Sequence, residues 1–154
     1  MVELIHPDSP SLWDTARTLV REYAASLNVS LDFQNFDDEL LHLEHEYAPP
    51  TGTFLLARHN NDFFACGALR RFSDSDCEMK RLYVRPSGRN LGLGRQLAVA
   101  LITEAKTLGY AHMLLDTLPT MQCAQSLYKS LGFVPTSPYR FNPIPNSAYL
   151  KLDL

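Results

Sequence analysis

Residues 85–102 read R-P-S-G-R-N-L-G-L-G-R-Q-L-A-V-A-L-I, a turn rich in glycine and arginine that runs straight into an apolar stretch with helical spacing. Gly88, Gly92 and Gly94 alternate there with Arg85, Arg89 and Arg95. These residue types in this pattern suit the holding of a compact anion. The first N–H groups of a helix have no partner inside it, and its dipole puts about half a positive charge at that end. Glycine lets backbone come within hydrogen-bond distance of a phosphate, and Asn90 tolerates a left-handed conformation where the turn needs one. Charge points the same way. Residues 80–95 hold Lys80, Arg81, Arg85, Arg89 and Arg95 and no acid, a local +5; the rest of the chain has nine basic against 17 acidic residues, a net −8. A basic island in an acidic chain fits a small anionic ligand, while the overall charge of −3 argues against nucleic acid as partner. The bland alternative is a solvated loop with arginines placed by chance.

Two familiar glycine loops do not fit. A nucleoside-triphosphate loop needs lysine and a hydroxyl residue after its last glycine, and Gly94 is followed by Arg95 and Gln96. A dinucleotide fingerprint needs a third glycine where this chain has Leu97, and a second strand-helix-strand half that it lacks. What remains is R-x-x-G-x-G opening an amphipathic helix, a backbone cradle for a pyrophosphate that requires no metal.

The elements that position this loop follow from periodicity. Ser9-Pro10 caps and opens a helix with Leu12, Ala16, Leu19, Val20 and Tyr23 on one face. A short helix is predicted over Asp37–Glu46, its acids in the first turn. Met1–Ile5 reads as an edge strand. Thr53–Arg58, Phe63–Phe72 and Cys77–Val84 read as strands joined by short polar turns, which suits antiparallel hairpins. The helix after the basic loop carries Leu93, Leu97, Leu101, Ala105 and Leu108 and stops at Gly109. Tyr110–Thr117 is a strand, Ala124, Leu127, Tyr128 and Leu131 trace a helix ended by Gly132, and Phe133–Val134 and Ala148–Leu152 close the sheet. The strand-helix-strand unit from Cys77 to Thr117 makes those two strands parallel neighbours.

The chain of 154 residues suits one domain over residues 1–154, and its 45% hydrophobic and 20% charged content is ordinary for a soluble globular protein. No apolar run approaches the roughly 18–20 residues of a membrane span, and the N-terminus lacks a secretory pattern. Cys66, Cys77 and Cys123 form neither a disulfide framework nor a metal knuckle, so reduced thiols and a cytoplasmic location are expected. His6, His42, His45 and His59 lack the spacing of a metal site, so no metal is expected. His112, in an apolar strand, reads as a satisfied core histidine.

Three blocks in order, C-E-M-K-R-L-Y-V at 77–84, R-N-L-G-L-G at 89–94 and A-Q-S-L-Y-K-S-L-G-F at 124–133, resemble the GNAT superfamily of acetyl-CoA-dependent N-acetyltransferases. The resemblance covers nearly the whole chain. It implies an α+β (mixed α/β) fold with a central mixed sheet, mostly antiparallel, one splayed parallel pair and helices on both faces. It also implies acetyl-CoA as co-substrate. Leu82, Tyr83 and Val84 would hold the pantetheine arm. Arg89, Asn90, Leu91, Gly92, Leu93, Gly94 and Arg95 would hold the pyrophosphate. Many members carry Asn at the start of the helix after the fifth strand; here D-T-L-P-T-M-Q leaves Thr120 or Gln122 for that contact.

Transfer to an amine needs a neutral nucleophile, a donor to the developing oxyanion and an acid for the departing thiolate. By the resemblance Tyr128 is the acid and Glu78 the base. From the residues alone, Tyr128 reads first as a packing residue at core spacing, and Glu78 can be read as a strand acid paired with Lys80. A water chain is the alternative to Glu78. Gln34, Tyr47, Arg81, Tyr139 and Arg140 are acceptor-side candidates; Arg140 would bind a substrate carboxylate or stand in solvent. The expected partner is a small-molecule amine or amino-acid-like acceptor, with no nucleic acid and no membrane. A homodimer is compatible with this reading. A non-catalytic acyl-CoA-binding module is the second functional reading.

Overall fold

The computed structural model describes residues 2–27, 30–31 and 35–154. Gln34 lies outside them. Seven strands form one sheet: β1 (Glu3–Ile5), β2 (Thr53–His59), β3 (Asp62–Arg71), β4 (Asp76–Val84), β5 (His112–Thr117), β6 (Val134–Pro135) and β7 (Ala148–Asp153), in the spatial order β1-β2-β3-β4-β5-β7-β6. Every described pairing is antiparallel except β4 with β5. The helices are α1 (Pro10–Ser26), α2 (Phe36–Leu41), α3 (Leu43–Glu46), α4 (Leu93–Thr107) and α5 (Gln122–Ser130). The expected mixed fold is the observed one. Among the described residues no helix is long and apolar enough to cross a membrane.

The sheet is apolar on both faces, so it needs a helical layer on each. Along β3, Ala65 and Leu69 join Leu93, Leu97 and Leu101 of α4, while Cys66 and Ala68 turn to Ala16, Leu19 and Val20 of α1. The start of α1 is fixed as its sequence suggests, with Ser9 Oγ accepting from the Leu12 N–H at 3.2 Å. The expected helix over Asp37–Glu46 is instead two pieces. The His42 N–H closes α2 on the Asp38 carbonyl, and the chain then changes direction. That break lets Leu43 and Tyr47 enter the α1-side core while Leu41 stays 69% exposed.

Two local features of β4 shape the groove beside it. The first is a bulge. Ala68 pairs with Lys80 and Cys66 with Tyr83, so the single residue Gly67 faces both Arg81 and Leu82. Arg81 adopts a left-handed conformation there, with φ 60°. A bulge adds a residue and re-aims those beyond it. As a result Leu82 and Val84 pack toward α4 and Tyr83 toward α1. The second feature is early separation from β5. Pairing covers only Asp76–His112, Cys77–Met113 and Glu78–Leu114, whereas β5 stays paired with β7 as far as Thr117. Beyond Glu78 the parallel strands splay into an open wedge.

Candidate active site

The wedge leads into a groove under the N-terminus of α4. Leu82, Tyr83 and Val84 form one wall, and Arg89, Asn90, Gly92, Leu93 and Gly94 form its end. Thr120, Gln122 and the first turn of α5 stand opposite. The end of α1 supplies Tyr23 and Ser26, and Leu27 caps it; the sequence periodicity places Tyr23 on the helix face and none of the three in a site. Within the loop, Pro86–Gly88 is a single 3₁₀ turn. Asn90 and Gly92 both have positive φ, 68° and 74°, as a tight reversal into a helix requires. The first α4 N–H with a backbone partner belongs to Gln96, which donates to the Gly92 carbonyl at 3.1 Å. The N–H groups of residues 90–95 donate to no described residue. A Cβ on Gly92 would meet nothing within 4 Å, and Gly92 itself lines the groove. Six successive free N–H groups at the positive end of a 15-residue helix fit an anionic group such as a pyrophosphate.

The arginines contribute less directly than their number suggests. Arg85 is held against α1, donating to both Glu22 oxygens at 2.8 and 2.6 Å and to the Phe63 carbonyl at 2.9 Å. Glu22 consequently sits below the ordinary carboxylate range, the Arg85 hydrogen bond outweighing burial. Arg95 reaches back to Ser130 Oγ at 2.5 Å, and Leu91 is 59% exposed; neither lines the groove. Arg89 does line it.

A second cavity adjoins the groove through Tyr23, Leu27, Leu82 and Met121. Tyr128 of α5 enters it from the α4 side, and Lys80, Arg81 and Asp116 line the other side with Asn142. Tyr128 packs edge-on against Phe133, with ring centroids 5.7 Å apart. Burial, with lesser contributions from Tyr23 and Asp116, pushes its phenol well above the usual value, so the hydroxyl keeps its proton at neutral pH. That hydroxyl bonds to no described residue.

Glu78 is fully buried rather than on an exposed strand face. One oxygen accepts from the Tyr139 hydroxyl at 2.8 Å, and the other from Arg140 at 2.6 Å and Arg70 at 3.4 Å. It therefore ties the loop before β7 to the middle of the sheet. Arg81 is equally committed: its guanidinium donates to both oxygens of Glu39 at 2.7 and 2.9 Å and lies over the rings of Phe36 and Tyr23. Burial would raise Glu39, but the hydrogen bonds and charge of Arg81 hold it below the ordinary value. Tyr47 is 1% exposed, its hydroxyl buried and without a geometric hydrogen bond among the described residues. Of the acceptor-side candidates, only Arg81 lines the cavity; Tyr139 and Arg140 hold Glu78, which does not line it, and Tyr47 lies in the α1-side core. His112 is bonded, its Nδ1 2.7 Å from Asp76 Oδ1, but at the entry of β5 and one-third exposed rather than in the core.

Sequence and fold comparisons agree with this geometry. The acetyltransferase (GNAT) family model matches residues 13–133. An N-acetyltransferase of Schizosaccharomyces pombe is 45% identical over 147 residues, covering 94% of this chain and 90% of that one. An IAA acetyltransferase of Azospirillum brasilense is 29% identical over 134 residues, covering 86% and 80%. Among solved structures, an acetyltransferase from Streptococcus agalactiae superposes with TM-score 0.82 at 21% identity, covering 99% of this chain and 98% of that one. A GNAT acetyltransferase from Elizabethkingia anophelis with acetyl-CoA bound gives 0.68 at 21% identity, covering 100% and 97%. With its splayed parallel strands, its unpaired N–H run and this family match, the chain belongs to the acetyltransferase (GNAT) family.

Proposed function

We propose that the chain transfers the acetyl group of acetyl-CoA to the primary amine of a small-molecule or amino-acid-like acceptor, by direct attack in a ternary complex. The observation that carries this reading is the wedge between β4 and β5, which joins the N–H cradle at one end to Tyr128 at the other. The pyrophosphate rests on the N–H groups of residues 90–95, with Arg89 beside it. The pantetheine arm runs along Leu82, Tyr83 and Val84, opposite Thr120 and Gln122, and brings the thioester to Tyr128. The amine attacks the carbonyl carbon, the C–S bond breaks, and Tyr128 supplies the proton that the thiolate takes up. Burial keeps the Tyr128 phenol protonated at neutral pH, so it is available as a hydrogen-bond donor to the developing thiolate and is not a base.

Glu78 has a different part here from the one its position in the sequence suggests. Its oxygens already accept from Tyr139, Arg140 and Arg70, so it anchors the acceptor-side loop, and the amine's proton leaves through water. Arg81 shapes the cavity wall with its charge already met by Glu39. Colorimetric thiol release from acetyl-CoA over a panel of primary amines tests this reading. Release above the no-amine rate with at least one amine is expected. Acetyl-CoA binding without amine-dependent release would favour a non-catalytic acyl-CoA-binding module.

A further inference from the structure

Asp116 stands where the parallel strands part. Glu78 and Leu114 are their last paired residues, and Asp116 follows Leu114 by two positions, on the same face of β5. Its other edge is still held there, since Asp116 pairs with Tyr149 of β7. The strand is thus fixed while its β4 side opens into the wedge. Asp116 lines the cavity that Tyr128 enters, and among the described residues it is the only carboxylate lining either that cavity or the groove. Each glutamate nearby has a guanidinium: Glu39 meets Arg81, Glu46 meets Arg70, and Glu78 meets Arg140. Of the cavity's cations, Arg81 is thus met, and Lys80 has an interaction of its own. Asp116 has no ion-pair partner among the described residues. It accepts one hydrogen bond, from the Asn142 amide to Oδ2 at 3.1 Å. An ionised carboxylate has about four acceptor sites, so most of its capacity is left. Asp116 is also partly exposed, which lets it exchange protons with water. Burial chiefly, with the Asp116 charge contributing, holds the phenols of Tyr23 and Tyr128 above their ordinary range, so the carboxylate is within electrostatic reach of both.

We propose that Asp116 is a catalytic residue of the acetyl transfer: it accepts a hydrogen bond from the attacking nitrogen of the acceptor and takes the proton which that nitrogen sheds as the amide forms. The inference rests on the acetyl-transfer reading above. The acceptor first loses its ammonium proton to water, which leaves a neutral amine in the cavity. As the C–N bond forms, positive charge develops on nitrogen. Its protons become far more acidic than those of the free amine, so a carboxylate suffices as their acceptor and also stabilises the developing charge. The C–S bond breaks with its electron pair on sulfur, beside the Tyr128 hydroxyl. The proton on Asp116 passes to water and the thiolate takes one up. The products are therefore the amide and coenzyme A, with Asp116 ionised again.

The test uses the full chain, acetyl-CoA and an amine that supports thiol release in wild type, with two variants. Asp116 makes one side-chain hydrogen bond, so both variants should melt near wild type. Asp116→Asn keeps the size of the side chain and an oxygen for Asn142, and removes the charge and the proton acceptor. It should lower kcat/KM for the amine about 10²–10⁴-fold, while acetyl-CoA affinity measured by calorimetry stays near wild type. Asp116→Ala should lose activity comparably, and formate added to the assay should restore amine-dependent release in proportion to its concentration, since it supplies a carboxylate to the emptied space. Formate should do nothing of the kind for wild type or Asp116→Asn. A residue that only packs would not be rescued in this way. Wild-type kcat/KM in Asp116→Asn, or a loss in Asp116→Ala that formate leaves unchanged, would overturn the proposal and leave the transferase reading standing. Absence of amine-dependent release from wild type with every amine would overturn both.

Discussion

Gly92→Asp separates the cradle from the rest of the fold. Gly92 has φ 74°, and a Cβ built there contacts nothing within 4 Å, so the new side chain has room at a residue that lines the groove. Its backbone cost is that of a left-handed L-residue, about 1–2 kcal/mol, with aspartate among the better tolerated types. For a domain of this size that lowers the melting temperature by roughly 2–4 °C per kcal/mol. The binding cost is larger because a carboxylate then faces the pyrophosphate. One pair of like charges about 4 Å apart repels by about 1 kcal/mol in water and about 4 kcal/mol at a surface-like effective dielectric. Loss of acetyl-CoA affinity by roughly fivefold to a thousandfold is expected. Gly92→Ala carries the same backbone strain without the charge and should bind nearly as wild type. Calorimetric titration gives the affinities and a thermal melt the stabilities. Equal acetyl-CoA affinity in wild type and Gly92→Asp would refute the placement of the anion, and equal loss in both variants would show that strain rather than charge is responsible.

Tyr128→Phe keeps the ring against Phe133 and removes a hydroxyl that bonds to no described residue, so melting should barely change. In steady-state assays kcat should fall about 10²–10⁴-fold, with the KM for acetyl-CoA nearly constant. Glu39→Ala leaves the buried Arg81 guanidinium without its carboxylate and should destabilise the fold by about 3–5 kcal/mol in urea titration. In wild type the same pair adds a pH dependence: Glu39 is depressed in the folded state, so its contribution is complete above its unfolded value, 4.5, and is lost as pH falls through the lower folded value. Urea midpoints that stay flat with falling pH in wild type, or fall equally in Glu39→Ala, would argue against that linkage. Tyr139→Phe removes one donor to Glu78 and should raise the KM for the amine more than that for acetyl-CoA, since it loosens only the acceptor-side loop.

The framework of the fold is legible in the sequence wherever one period dominates. The polar turns at residues 59–62 and 73–76 announce β2, β3 and β4, and the Leu93-Leu97-Leu101-Ala105 stripe announces α4. The groove's loop is legible for the same reason: glycines, a helix start and basic side chains lie within a few residues. Features that depend on distant partners are not. Nothing local to Arg81 signals that it will adopt a positive φ or meet Glu39, 42 positions earlier. Glu78 reads as a strand acid because Tyr139 and Arg140, which bury and bind it, lie 61 and 62 positions away. The break at His42 is decided by which of Leu41 and Leu43 the core takes, a tertiary choice between two leucines two residues apart. Lys80 looks like one more charge in a basic stretch until the splay of β4 from β5 places it at the head of the wedge.

The most direct test is to follow the acetyl group itself. Acetyl-CoA carrying an isotope-labelled acetyl group is incubated with the protein and the amine panel, and labelled amide is counted against free thiol. Equal amounts of the two with at least one amine, reduced in Gly92→Asp at subsaturating acetyl-CoA and strongly reduced in Tyr128→Phe, are expected. Thiol without labelled amide, or transfer that survives intact in both variants, would contradict acetyl transfer in the wedge between β4 and β5.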